Sequence, residues 1–321
     1  MSPFASWLAA PPPDAAVEIA PGRVSAATMT VRGAGRALRS YAFETLPDGV
    51  VTASLAAGNI GDRAAVAAAL RAATARLSAR PARIALIVPD LVARVSVIRF
   101  DHVPSRRDDL EQLIRWQVRK SAPFPIEDAC VTFTTGRRDA AGGREFIVIA
   151  ARRDIVQEYE NACADAGMHA GIVDIATFSI VNLVLAAASP ANEDWLVVHM
   201  RPEYTSIAIL RDGDLIFFRN RPEGAEESLT DVVHQTAMYY QDRLAGQRFA
   251  RVLLGGYGRA AGTMEHARLS LEERLAVRVE PIDWTAVAAA PEGARLVPDT
   301  IEIVAPLAGM LVRTHGEAVL G

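Results

Sequence analysis

A chain of 321 residues, half of them apolar, is long enough for one large domain or two ordinary ones, each with a buried core. Lys plus Arg number 34 against 38 Asp plus Glu, and the net charge of -4 gives no electrostatic reason for nucleic acid or an anionic membrane as the main partner. The two cysteines, Cys130 and Cys163, have no second Cys or His at metal-ligand spacing and read as buried thiols in a reducing compartment.

Residues 1–15 read as a loose tail, with Phe4, Trp7 and Leu8 ahead of three prolines and no basic segment of the kind that opens a secretory signal. Alternating apolar residues over 16–43 predict two or three meandering strands, with turns at Pro21-Gly22 and at 33–35. Asp62 is placed to cap an Ala-rich helix that runs to residue 78, and residues 83–88 return as a buried strand ending at Pro89. A further strand over 94–100 precedes a helix expected to be capped by Ser105 and stopped by Pro123-Phe124-Pro125.

Residues 131–135 and 145–151 form a strand pair, and a helix from Asp154 ends at Gly167. A short strand over 171–175 and a helix over 176–188 follow, the most apolar stretch of the chain. It is broken by Asp174, Thr177, Ser179 and Asn182, well short of the roughly 18–20 apolar residues a membrane span needs. The pattern then starts over: strands at 195–200, 205–210 and 214–219, a helix at 228–245, a strand at 251–254 and the run Gly255-Gly256-Tyr257-Gly258. A helix near 269–275, a strand near 277–279 and a helix near 303–313 complete it. Each half opens with three antiparallel strands and goes on with helices and further strands, a weak internal repeat that predicts two α/β lobes facing one cleft.

With these elements in place, the sequence resembles the PilM family of type IV pilus assembly proteins, within the actin, Hsp70 and FtsA superfamily. The resemblance is carried by residues 46–51, Pro89, Trp116-Gln117-Val118, Pro123-Phe124-Pro125-Ile126 with Glu127-Asp128, Ala166-Gly167, Val173-Asp174-Ile175, Phe217-Phe218-Arg219 and Leu254-Gly255-Gly256. It implies an α/β actin-like (ribonuclease H-like) fold of two lobes: the first at 16–99 and 152–190, with a small subdomain inserted at 100–151, and the second at 191–321, with its upper subdomain shortened to about 223–249. It further implies a cytoplasmic protein, held at the inner membrane through partners. Such a protein binds the cytosolic N-terminal tail of PilN and links the PilN/PilO platform to the pilus motor ATPases. Trp116, Arg119, Pro123 and Phe124 are the candidate partner-binding residues, because an extended peptide needs aromatic and Pro-lined pockets with a few polar groups beside them.

Actin-like ATPases hold nucleotide between two hairpin turns whose glycines admit phosphate and whose carboxylates organise Mg2+. Here the first turn has Glu18 for the aspartate, Ala20 for the first glycine and Pro21 without an N–H. The second has His199, a poor Mg2+ ligand, and Arg201 for its glycine. Gly22, Ser25, Arg201, Thr205, Ser206, Gly255, Gly256 and Gly258 are the residues that would line any surviving nucleotide site, with Arg201 able to meet phosphate as a charge. The expectation is no cofactor and no catalysis. No metalloprotease, serine-hydrolase or Cys-pair motif occurs, and the six histidines, His102, His169 and His234 among them, are scattered. Asp174 is the one candidate acid, and capping the next helix accounts for it. The alternatives are a nucleotide-binding actin-like ATPase and a cytoplasmic component of a type II secretion system.

Overall fold

Strands β1 (Ala15–Ala20) and β2 (Arg23–Arg32) pair antiparallel through the tight turn at Pro21-Gly22, and β3 (Gly35–Thr45) continues the meander on β2. The computed structural model describes residues 13–32, 35–138, 142–188, 192–224, 229–258, 262–291 and 297–312; the tail at 1–12 and two residues of the turn at 33–35 lie outside them. Helix α1 (Arg63–Ala75) is capped by Asp62, which accepts from the Ala65 N–H at 2.9 Å, and it buries Val66, Leu70 and Ala73. It ends at Ala75, short of 78, and carries the chain over the sheet to β4 (Arg83–Val88), parallel to β1. β1 and β4 are buried almost from end to end, as strands covered on both faces must be.

One 3-10 turn, Asp90–Val92, leads into β5 (Ala93–Phe100), α2 (Arg107–Arg119), β6 (Ala129–Arg138) and β7 (Arg144–Arg152). These strands form a separate antiparallel sheet in the order β5-β7-β6, so the strand expected in the first lobe at 94–100 pairs instead with β7. Its own small core holds Ile114, Val118, Phe124, Ile126, Phe146 and Val148. The N-cap of α2 is Arg106 and not Ser105, with no side-chain cap; Asp108 and Asp109 in its first turn supply the negative charge that favours a helix start.

Helix α3 (Arg153–Asp165) and β8 (His169–Ile175) return to the first sheet, whose order is β3-β2-β1-β4-β8, and α4 (Ala176–Ala187) crosses to the second lobe. Asp174 lies within β8 and accepts from the Ile175 N–H at 2.8 Å, so it does not cap α4, whose N-cap is Ile175. The second sheet comprises β9 (Asp194–Met200), β10 (Tyr204–Arg211), β11 (Asp214–Pro222), β12 (Arg251–Gly256) and β13 (Val279–Pro281), ordered β11-β10-β9-β12-β13. Both five-stranded sheets therefore share one plan, three antiparallel strands and then two parallel ones beside the first. Between β11 and β12 the described residues hold a single helix, α5 (Leu229–Arg243).

After α6 (Thr263–Leu275), the last helix α7 (Pro298–Val312) does not stay with the second lobe. It packs on α4 and on β1, β2 and β4 of the first sheet. The crossing with α4 is close: a Cβ on Gly309 would stand 1.8 Å from the Ser179 carbonyl oxygen. Trp195, Trp284 and α7 accordingly share one buried cluster with the first lobe, while the other face of the second sheet forms its own core with α5 and α6. Among the described residues, no helix is long and apolar enough to cross a membrane. Cys163 is buried, its thiol pushed up to about 12 by burial, whereas Cys130 is only half-buried.

Candidate functional site

The cleft between the lobes is built from the β1–β2 turn, the 3-10 turn after β4, the β9–β10 turn and the end of β12. Glu18, near the end of β1, is buried between two guanidinium groups. Its Oε1 accepts from Arg201 Nη2 of the opposite lobe, and its Oε2 accepts from Arg23 Nη2 at 3.3 Å. Arg23 Nε donates to Ser25 Oγ at 3.1 Å. The Tyr257 ring covers both cations, with the Cζ of Arg23 4.4 Å and that of Arg201 5.1 Å from its centre, a cation–π arrangement in a desolvated place. Burial works against the charge of Arg201, but the Glu18 carboxylate beside it raises its pKa further, so it stays a cation.

A second buried network lies next to this one around Asp90, which is fully buried. Asp90 Oδ1 accepts from the Thr177 N–H at 2.9 Å, and its Oδ2 accepts from Ser206 Oγ at 2.5 Å and from Thr177 Oγ1. Asn220 Nδ2 donates to the Asp90 backbone carbonyl at 2.9 Å, and Thr177 Oγ1 lies 2.8 Å from His199 Nδ1. Burial raises the Asp90 pKa against the pull of the Ser206 and Thr177 hydrogen bonds. His199 is pushed well below its ordinary range, first by burial and then by the charges of Arg201 and Arg23, so its imidazole is neutral. The chain of bonds joins residues of both lobes in a place that solvent does not reach.

At the glycine run, Gly256 has φ +103 and a Cβ there would meet the Met200 carbonyl oxygen at 1.8 Å. The glycine is required by the close approach of β9, whose Met200 carbonyl also accepts from the Tyr257 N–H at 3.0 Å. The Gly256 N–H donates to Glu302 Oε2 of α7 at 2.5 Å, and burial lifts that carboxyl to about 7 against this hydrogen bond. Among the described residues no cluster of three or more His, Cys, Asp or Glu is placed to hold a metal ion.

The inserted subdomain offers a different surface. Trp116 on α2 is 58 % exposed, with Lys120 Nζ 3.7 Å from its ring centre. Arg119 beside it is exposed and pairs loosely with Glu127 at 3.6 Å, and Pro123 is exposed in the loop that follows. Phe124 departs from expectation: it is 9 % exposed and packs with Ile114, Val118 and Phe146 in the subdomain core, because the turn after α2 folds its ring beneath the helix.

A family model described as type IV pilus assembly protein PilM matches residues 16–246, the greater part of the chain. This chain belongs to the PilM family. A solved structure described as a PilM-PilN type IV pilus biogenesis complex is similar over 93 % of this chain and 96 % of that one, at 18 % identity and a TM-score of 0.77. The cytoplasmic domain of EpsL, an inner-membrane component of the type II secretion system of Vibrio cholerae, is similar over 96 % of this chain and 98 % of that one, at 9 % identity and a TM-score of 0.51. The fold is the two-lobed actin-like one that the sequence predicted for a PilM-family chain.

The structure brings Gly22, Ser25, Arg201, Thr205, Ser206, Gly255, Gly256 and Gly258 to the facing turns of one cleft, though Arg201 meets Glu18 there. Four residues that complete the site escaped the PilM-family pattern: Asp90, Thr177, Tyr257 and Glu302. Asp90 had a readable signal, an acid just past the Pro89 that ends a buried parallel strand, at the carboxyl end where sites of α/β sheets gather. Glu302 had none, since it reaches the site only through the return of α7.

Proposed function

We propose that this PilM-family chain is an adaptor of type IV pilus assembly. In this reading it sits on the cytoplasmic side of the inner membrane, takes the cytosolic N-terminal tail of PilN, and through PilN and PilO links the membrane platform to the pilus motors. The observation that carries the reading is Trp116, a large aromatic side chain left 58 % exposed on a small insert with Pro123 nearby. An exposed tryptophan flanked by Lys120 and Arg119 suits the central anchor of an extended peptide, the aromatic ring burying an apolar residue while the cations meet polar groups around it. The likeness to a chain solved in complex with PilN supports this choice of partner. No chemical step is assigned to the cleft, because the one acid–hydroxyl–imidazole chain in it among the described residues, Asp90, Thr177 and His199, is buried.

Calorimetric titration with a synthetic peptide that copies the N-terminal tail of the cognate PilN tests the reading. Micromolar binding that disappears in Trp116→Ala is the expected result. Binding of equal strength by the Trp116→Ala protein would remove Trp116 from the interface, and no binding by the wild-type protein would remove the peptide.

A further inference from the structure

We propose that the cluster of Glu18, Arg23, Arg201 and Tyr257 is a built-in replacement for the nucleotide that actin-like ATPases hold between their lobes, so that cleft closure is set by this chain's own charges. A Mg-triphosphate needs backbone and hydroxyl donors from both turns, a carboxylate free to order the water shell of Mg2+, and a glycine edge open to the base and ribose. The residues here do not fit that group. Pro21 has no N–H to give. Ser206 donates to Asp90, the Gly256 N–H is taken by Glu302, and Ser25 Oγ already accepts from the Arg23 guanidinium. Glu18, which stands where the carboxylate would, already accepts from two guanidinium groups, one from each lobe.

The positive charge that Mg2+ would bring is supplied covalently. Arg201 reaches across the cleft to Glu18, and Tyr257 from the second lobe lies over Arg23 of the first. Both contacts cross between lobes, and Glu18 and Arg201 are buried enough that breaking their pair would leave a charge uncompensated. The guanidinium group keeps its charge at any pH a cell meets, so the tie needs no ligand to form it. The inference is independent of which peptide the insert takes, since Trp116 lies outside the cleft.

The test uses the full chain. Thermal denaturation and small-angle scattering are recorded with and without millimolar Mg-ATP, together with a titration of a fluorescent ATP analogue. The wild-type protein should show the same Tm and the same radius of gyration in both conditions, with no binding of the analogue. Glu18→Gln and Arg201→Met should each lower Tm by about 5 °C or more, and the double variant should lose less than the two losses combined, because it leaves only Arg23 without its carboxylate, whereas Glu18→Gln alone leaves both Arg23 and Arg201 so. A rise of several degrees in the wild-type Tm with Mg-ATP, or saturable binding of the analogue, would overturn the proposal without recourse to any variant. So would strictly additive losses, which would mean that the two residues do not act as a pair.

Discussion

Trp116 and Phe124 belong to one helix and the loop that leaves it, yet they meet opposite environments. Trp116→Ala removes surface from solvent-exposed residue positions, and the stability change should stay within about 0.5 kcal/mol. Its effect should fall on the peptide titration instead, with affinity reduced about thirtyfold or more, as for a central aromatic anchor. Phe124→Ala empties part of the small core and should cost about 3–5 kcal/mol, read from urea denaturation and from faster amide exchange confined to β5, β6, β7 and α2. The sequence pattern announced both rings but not which was buried, because that depends on which way the Pro-flanked turn folds. Glu302 offers a second test at this scale. Its folded-state pKa is raised from 4.5 to about 7, so the folded protein holds an extra proton across that window. Stability should therefore fall by roughly 3 kcal/mol as pH rises through it and level off above. Asp90 and Glu145 shift in the same direction, so the contribution is isolated by comparison with Glu302→Gln. The variant should gain on the wild type between about pH 5 and about pH 8 in urea midpoints, and a constant difference would exclude Glu302 as the source.

At the scale of elements, alternation and capping residues located nearly every strand and helix, and the errors are informative. Asp62 caps α1 as its position suggested, whereas α2 starts one residue late, after Ser105, on a first turn with two acids. The partner of β5 was not legible, because period-2 alternation says that a strand has a buried face and nothing about which sheet supplies the cover. The same holds for α7, whose apolar length signals burial but not against what. Gly309 marks the answer, being the point where α7 and α4 come close enough to exclude a side chain. Gly309→Ala should therefore destabilise by about 1–3 kcal/mol despite the higher helix propensity of alanine, and the loss should appear in denaturant unfolding followed by the fluorescence of Trp284, which packs in the same cluster. A neutral or stabilising result would mean that the two helices have room to separate.

Across the whole molecule, the lobes are joined by more than a hinge. α7 comes last in the chain yet lies on the first sheet, Trp195 and Trp284 complete the first lobe's core, and the networks around Glu18 and Asp90 cross the cleft. Scanning calorimetry should accordingly give one main endotherm for both lobes, with any separate transition belonging to the insert and its own core. Two well-resolved lobe transitions would show that the shared cluster does not couple them.

By itself the sequence determined the elements and the repeated plan of the two lobes, since periodicity and turn residues act locally and can be read locally. It placed Arg201 at the second turn but left its partner open. Only the tertiary structure decided that the partner is Glu18, because the two residues come together when the sheets face one another and the buried carboxylate accepts from the guanidinium there.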